Sequence, residues 1–220
     1  LASFLVFLRL LGRMSCSPLS TVVAAWFFLN AYFVSCGNIA RMEAPLLLLS
    51  LTAFLLLLDR RILIALGLLL LAPLLHPNGF YFLAAGVAYS AWEWWKTKSA
   101  PRLTRSGTAM VIAAVVCWTV YAIYLSSYWE YVKLDLDFQF ARKGERSILG
   151  QVLTRDNLAL LIMLVLALIL SIKVNRRRLV LLLVAVPCWL IQVVGFEMWY
   201  RVFWELAALI VTVLLLESVW

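Results

Sequence analysis

Two short apolar runs on either side of the charged triplet Asp59-Arg60-Arg61 limit what this chain can fold into more than any other feature. The first run follows Glu43 and the second ends at His76. At about 1.5 Å per residue, each run rises only about 22 to 24 Å as a helix, whereas the hydrocarbon core of a bilayer is about 30 Å thick. We therefore expect a membrane hairpin with Arg41, Glu43 and His76 near one edge of the hydrocarbon, where charge is costly unless it faces protein or a water-filled cavity.

The backbone at that end of the hairpin favours an anion. Pro45 suits the first turn of a helix, and Pro77-Asn78-Gly79 is a turn that can supply Asn78 as the N-cap of the next helix. Two helix N-termini are then expected beside Arg41 and His76. Free N–H groups and the positive end of the helix dipole make such a site receptive to phosphate.

Composition indicates an all-α, polytopic membrane protein. The chain has 220 residues, of which 65% are hydrophobic and 14% charged, with a mean hydropathy of +1.00. No polar interval is long enough for a separate soluble domain, so residues 1–220 form a single predicted transmembrane domain. The net charge of +8 comes from basic clusters between apolar runs, which set topology and do not indicate a nucleic-acid partner.

The apolar runs predict eight complete spans after one truncated helix at residues 1–11. The complete spans are 19–36, 39–58, 62–75, 80–95, 107–128, 158–172, 179–196 and 200–216. If Arg9 and Arg13 are cytoplasmic, 12 of the 19 Lys and Arg residues lie inside, all in short loops. This bias places the protein in the plasma (inner) membrane with Glu43 and His76 on the extracytoplasmic side.

The first apolar run also predicts that the sequence is an internal fragment. Residues 1–11 are too few to span a bilayer. Arg9 and Arg13 lie at the end of that run or after it, whereas a signal peptide carries its basic residues before the apolar segment. We expect a truncated helix here.

Each candidate residue at the outer end has a structural alternative. Arg41 and Glu43 could form an ordinary helix-end ion pair or line a cavity. His76, the single histidine, could be a structural residue or a functional one. Glu197 and Arg201 could form an i,i+4 pair or close the cavity from its other side.

The predicted outer loop 129–157 is the largest extramembrane segment. Its alternation of polar and apolar residues fits a strand, but apolar residues also fall on one helical face, and an interfacial amphipathic helix is favoured because no partner strand is evident. Asp135 and Asp137 could bind a hard cation or belong to a solvated face. The basic residues of this loop could contact phosphate or lipid headgroups, and they are Arg142, Lys143 and Arg146.

Aromatic residues and cysteines are less informative. Tyr128, Trp129, Trp199 and Tyr200 fit an interfacial aromatic belt, with sugar stacking as the alternative for this outer set. The four cysteines have no metal-binding spacing and do not suggest a disulfide framework.

Several motifs together resemble the GT-C-type integral membrane glycosyltransferases, in particular bacterial relatives of the dolichyl-phosphate-mannose protein mannosyltransferases and the lipid A aminoarabinose transferases. The resemblance begins with Leu8-Arg-Leu-Leu-Gly12, followed by Ala40-Arg41-Met-Glu43-Ala-Pro45. His76-Pro77-Asn78-Gly79 is similar to their next outer turn, and the segment from Glu197 to Tyr200 resembles their late acidic-aromatic motif. The loop residues that are similar to one bacterial branch are Tyr124, Phe138, Gln139 and Arg146.

This resemblance implies transfer of a sugar from a polyprenyl-phosphate donor to a lipid, glycan or protein acceptor on the outer face. The carboxylate of Glu43 would help to bind a divalent cation or the donor phosphate. The main catalytic acid of the family lies in an outer loop that would precede Leu1, so the general base is expected upstream of this sequence. The donor-binding set implied here comprises Arg41, Glu43, His76, Asn78, Gln139, Arg146, Glu197 and Tyr200.

Two other function classes are compatible with so apolar a chain. A transporter or channel would place ionisable residues mid-helix or break its helices in a repeated arrangement, and Pro73 and Pro187 are the weak signs of that. A membrane assembly subunit without chemistry is the third alternative. An acidic residue shortly after the first membrane helix of the upstream sequence would favour the transferase.

Overall fold

The computed structural model describes residues 1–28, 42–98, 103–143, 147–174, 179–195 and 200–219, and it is all-helical over these ranges. The helices, numbered in chain order, are α1 (Ala2–Arg13), α2 (Pro18–Phe28), α3 (Glu43–Leu58), α4 (Ile62–Leu75), α5 (Gly79–Thr97), α6 (Arg105–Ser127), α7 (Trp129–Lys143), α8 (Ile148–Val152), α9 (Arg155–Val174), α10 (Leu179–Gly195) and α11 (Arg201–Val219). The prediction of an all-α chain is confirmed.

The hairpin α3–α4 begins and ends close to where the sequence predicted. Pro45 lies in the first turn of α3, and α4 ends at Leu75 because His76 precedes Pro77. The proline ring disfavours the helical region for the residue before it, and His76 is extended, with φ −159° and ψ 138°. The proline therefore both ends α4 and sets the backbone from which the histidine side chain projects.

Contacts between distant residues define two ends of the bundle. Arg13 Nε lies 3.4 Å from Asp59 Oδ1, so the last residues of α1 and α3 meet at what we call the Arg13 end. The rings of His76 and Tyr200 are in contact at the opposite end, where α4 ends and α11 is about to begin. We call this the His76 end. The predicted alternation of helix direction along the hairpin agrees with these contacts.

The core takes buried side chains from most of the described helices, with α11, α10 and α3 contributing many of them. Phe203, Leu206 and Ile210 of α11 are fully buried, as are Leu51 and Phe54 of α3. Phe82 from α5 packs on Phe203 with ring centroids 6.3 Å apart. Helix α11 packs against α10, α9 and α2, and of its described side chains only that of Arg201 is exposed.

Helix α6 packs mainly on α4, and small residues let the two helices approach closely. A side chain at Gly67 of α4 would meet Met110, and one at Gly107 of α6 would meet Leu63. Trp118 Nε1 of α6 also donates a 2.7 Å hydrogen bond to the carbonyl oxygen of Leu70. Small residues and interhelical hydrogen bonds are typical of helix packing in membranes.

By length and composition, α6 is the helix in the described chain that could cross a membrane, and its apolar segment is only 6% buried. Helices α2, α3, α4 and α10 are apolar but shorter. Hydropathy read from the sequence predicts eight complete spans, whereas the helix-length criterion identifies one among the described residues. The predicted spans 19–36, 39–58 and 179–196 partly lie outside the described residues.

The predicted outer loop contains α7, which confirms a helix and not a strand in its first half. The described side chains of α7 are almost all exposed. Asp135 and Asp137 are two residues apart, so they lie about 200° apart around the helix axis and cannot converge on one ion from this element. The solvated-face alternative fits these two carboxylates better than the metal alternative.

Candidate functional site

The turn between α4 and α5 forms a self-contained hydrogen-bonded unit around His76. The backbone N–H of Asn78 donates to His76 Nδ1 at 3.1 Å. The N–H of Gly79 donates to the His76 carbonyl oxygen at 2.8 Å, and those of Phe80 and Tyr81 donate to the carbonyls of Pro77 and Asn78. Since a ring nitrogen that accepts a hydrogen bond is unprotonated, the neutral ring carries its proton on Nε2. His76 is thus positioned as a donor through Nε2.

Two parts of the sequence expectation for this turn are wrong. Asn78 occupies the N-cap position of α5, but its side chain makes no capping bond because the backbone there is already helical, at φ −61° and ψ −14°. The N–H groups of Gly79, Phe80 and Tyr81 are bonded within the turn and are not free for phosphate. The amide Nδ2 of Asn78 is a buried atom without a hydrogen-bond partner in the described part of the chain.

Gly79 is required at this turn because of space, not because of its φ angle, which is not positive. A Cβ atom on Gly79 would lie 2.5 Å from the carbonyl oxygen of Ala72 and closer still to the backbone of Pro73. The first turn of α5 therefore packs directly against the last turn of α4. This contact fixes where His76 lies relative to both helices.

His76 meets Tyr200, which lies 124 positions later in the sequence. Their ring centroids are 6.0 Å apart and their planes are inclined by 79°, an edge-to-face arrangement. Tyr200 is 9% exposed, so the contact lies at the margin of the core and not on the open surface. Two of the predicted donor-binding residues are therefore brought together by tertiary packing.

Glu43 is the first residue of α3, which runs from the His76 end to the Arg13 end. It is half-buried, and it forms no ion pair with any other residue that the structure describes. Arg41, its predicted partner, lies outside the described residues, so the choice between an ion pair and a lined cavity stays a prediction. Glu43 and His76 occupy the same end of the hairpin, as expected.

The remaining predicted site residues fall mostly beyond what the structure describes. Arg146, Glu197 and the side chain of Gln139 lie outside the described residues. Arg201, the expected partner of Glu197, has its Nε 3.3 Å from Oε1 of Glu205, one turn further along α11. The i,i+4 ion pair at the start of α11 thus joins Arg201 to a residue that follows it in the chain.

The described residues do not form a metal centre. No group of three or more His, Cys, Asp or Glu side chains converges within the described ranges. Among the described residues at the His76 end, Glu205 is already paired with Arg201, which leaves Glu43 to offer a carboxylate, whereas a divalent cation takes several oxygen ligands. The side chains present therefore do not fit the divalent cation that the resemblance implies, and we derive no step through one.

A buried carboxylate near the end of α11 is a feature that the sequence analysis missed. Oε1 of Glu217 accepts hydrogen bonds of 2.6 Å from the Ser17 N–H and from the Ser20 hydroxyl, and Glu217 is 7% exposed. The local signal for this site in the sequence is Ser17-Pro18, a pair typical of the start of a helix. Its acidic partner lies 200 residues away, and spacing cannot show such a pairing.

No protein-family model, curated protein or solved structure matches this chain. The side chains and their geometry therefore carry the functional inference.

Proposed function

We propose that the chain is a polytopic membrane protein. The apolar composition supports this, and so does the outward face of α6, where Ile112, Val116, Val120 and Ile123 are all more than half exposed. A continuous apolar helix surface of this kind is rare on soluble monomers and marks contact with lipid or protein. We infer that the His76 end faces the cell exterior, since the short loops at the Arg13 end carry most of the Lys and Arg residues.

We further propose that it acts as a GT-C-type glycosyltransferase, which transfers a sugar from a polyprenyl-phosphate donor to a lipid, glycan or protein acceptor. The contact between His76 and Tyr200 is the observation that supports this most directly. It joins the turn after α4 to the start of α11, and these two segments carry separate parts of the family resemblance. A chance likeness of each motif alone would not require them to meet.

Within this proposal the side chains at the His76 end bind the leaving phosphate. His76 donates from Nε2 to a phosphate oxygen, with its ring held by the Asn78 N–H and by Tyr200. The N-terminus of α3 adds the positive end of its dipole. Deprotonation of the acceptor, which needs a general base, is assigned to none of the described side chains.

The test is an assay of the full-length protein in membranes with radiolabelled polyprenyl-phosphate sugars. We expect His76→Ala to reduce kcat/KM about 10-fold or more, because a hydrogen bond to a charged group contributes about 1.5 to 3 kcal/mol. Glu43→Gln should also lose activity. Glu130→Gln on the exposed surface of α7 is the matched control for Glu43.

Membrane insertion and monodispersity in detergent must be unchanged for these variants to be interpreted. Wild-type turnover in both His76→Ala and Glu43→Gln would disprove the assigned site.

The transporter alternative gains no specific support. It calls for ionisable groups in the middle of a span, whereas the buried Glu217 lies two residues before the end of α11. Pro73 lies inside α4 and Pro187 lies inside α10, and both helices continue through the proline without a break.

A further inference from the structure

A polar pocket lies at the Arg13 end, opposite the candidate transferase site. It has a volume of about 280 Å³ and contains three cationic side chains, those of Arg13, Arg60 and Lys96, and two carboxylates, those of Asp59 and Glu93. Arg13 is engaged with Asp59. Arg60 and Lys96 form no ion pair with any side chain that the structure describes. We call this cavity the basic pocket.

A second, larger cavity runs along α5 between that helix and α10. Its volume is about 770 Å³ and its walls are almost entirely apolar. On α5 the wall is a single stripe that starts at Tyr81, passes the small side chains of Ala84 and Ala88, and ends at Lys96. On α10 it extends from Leu179 to Leu190. We call this cavity the α5–α10 groove.

The two cavities adjoin one another. Tyr89, Trp92 and Lys96 line both of them, and their spacing of three and four residues places them on one face of α5. The Lys96 ammonium lies over the Trp92 ring, 5.5 Å from its centroid, so its alkyl stem crosses the junction between the apolar wall and the polar pocket. The combined cavity therefore has an apolar length and a cationic end.

We propose that this combined cavity binds an anionic glycerophospholipid of the cytoplasmic leaflet. The headgroup phosphate lies in the basic pocket against Lys96 and Arg60, and an acyl chain follows the α5–α10 groove. This inference rests on the membrane embedding proposed above and not on glycosyl transfer.

Length and charge identify the ligand. The stripe from Tyr81 to Lys96 rises about 22 Å along the helix. This is long enough to hold an acyl chain that extends through the hydrocarbon of one leaflet, which is roughly 15 Å deep. Lys96 is the cation that lines the groove, and it lies at the Arg13 end. A polyprenyl-phosphate donor bound for outward transfer would need its phosphate at the opposite end, near Tyr81, where the described groove walls carry no cation.

Native mass spectrometry of the purified full chain tests the assignment without any sugar donor. Titration with dioleoyl phosphatidylglycerol should give saturable binding, and dioleoyl phosphatidylcholine should bind more weakly. Lys96→Gln should weaken binding of phosphatidylglycerol about five-fold, because a basic residue near an anionic lipid contributes about 1 kcal/mol. Lys98→Gln is the matched control, since Lys98 also lies over a tryptophan but outside both cavities.

A second pair of variants tests the groove separately from its charge. Ala88→Phe places a ring in the groove and should abolish saturable binding of phosphatidylglycerol, whereas Val87→Phe, at an exposed neighbouring position outside the groove, should not. Equal binding by Ala88→Phe and Val87→Phe would overturn the proposal. Preferential displacement of bound phosphatidylglycerol by polyprenyl phosphate would overturn the choice of ligand. The transferase assay is independent, so failure of either proposal leaves the other intact.

Discussion

Replacing Gly79 by alanine tests how the candidate site is held together. The new methyl group would lie 2.5 Å from the Ala72 carbonyl oxygen and closer still to neighbouring backbone atoms of α4. Backbone cannot move aside as a side chain can, so α5 and α4 must separate. Overpacking of this kind costs about 1 to 3 kcal/mol. The intrinsic gain from replacing a helical glycine, about 0.5 to 1 kcal/mol, offsets part of this cost.

We therefore expect Gly79→Ala to lower the free energy of unfolding by about 1 to 2 kcal/mol. The measurement is equilibrium unfolding in mixed micelles with an increasing fraction of denaturing detergent. Gly12→Ala is the matched control, because a Cβ at Gly12 meets no atom within 4 Å, and it should leave stability unchanged or raise it by up to about 1 kcal/mol. If Gly79→Ala proves as stable as Gly12→Ala, the close approach of α4 and α5 is refuted.

Two further hydrogen bonds give predictions of defined size, both measured by the same unfolding assay. Trp118→Phe should cost about 0.6 to 1.7 kcal/mol because it removes the donor to an α4 carbonyl. The same change at the exposed Trp129 should cost less, and equal losses would contradict this role. Glu217→Leu should cost about 1 to 3 kcal/mol, since it leaves two donors of the α2 N-terminus unsatisfied. Glu217→Gln keeps an oxygen acceptor and should cost less. A Glu217→Leu variant as stable as wild type would argue against the hydrogen bonds of Glu217 to Ser17 and Ser20.

The helices were largely predictable because their boundaries carry local signals. Helix α4 occupies the predicted range, since Arg61 precedes its first residue and His76-Pro77 follows its last. The helix in the outer loop also follows from local pattern. Glu43 and His76 were correctly placed at one end of a hairpin by counting residues between charges.

The contacts between helices were not predictable to the same degree. The ring contact of His76 with Tyr200 joins the turn after α4 to the residue just before α11, 124 positions later, and nothing near either residue specifies that contact. The side chain of Asn78 was expected to cap α5, but the 3₁₀-like turn bonds already satisfy the N–H groups that it would have served. Lys96 was counted as a topology signal, and its place between an apolar groove and a charged pocket appears only in three dimensions.

The attachment of α6 has a consequence for how the fold comes apart. Helix α6 packs mainly on α4. The two helices approach closely at Gly67 and Gly107, and the Trp118 indole donates a hydrogen bond to α4, while the other faces of α6 are largely exposed. Local stability follows the number of buried contacts that must be broken, and for α6 nearly all of these contacts lie on its α4 face, so α6 can leave the bundle only by giving up that one interface. In the membrane embedding that we propose, the lateral pressure and thickness of the bilayer would act on the open faces of α6 directly, and α4 alone would oppose them.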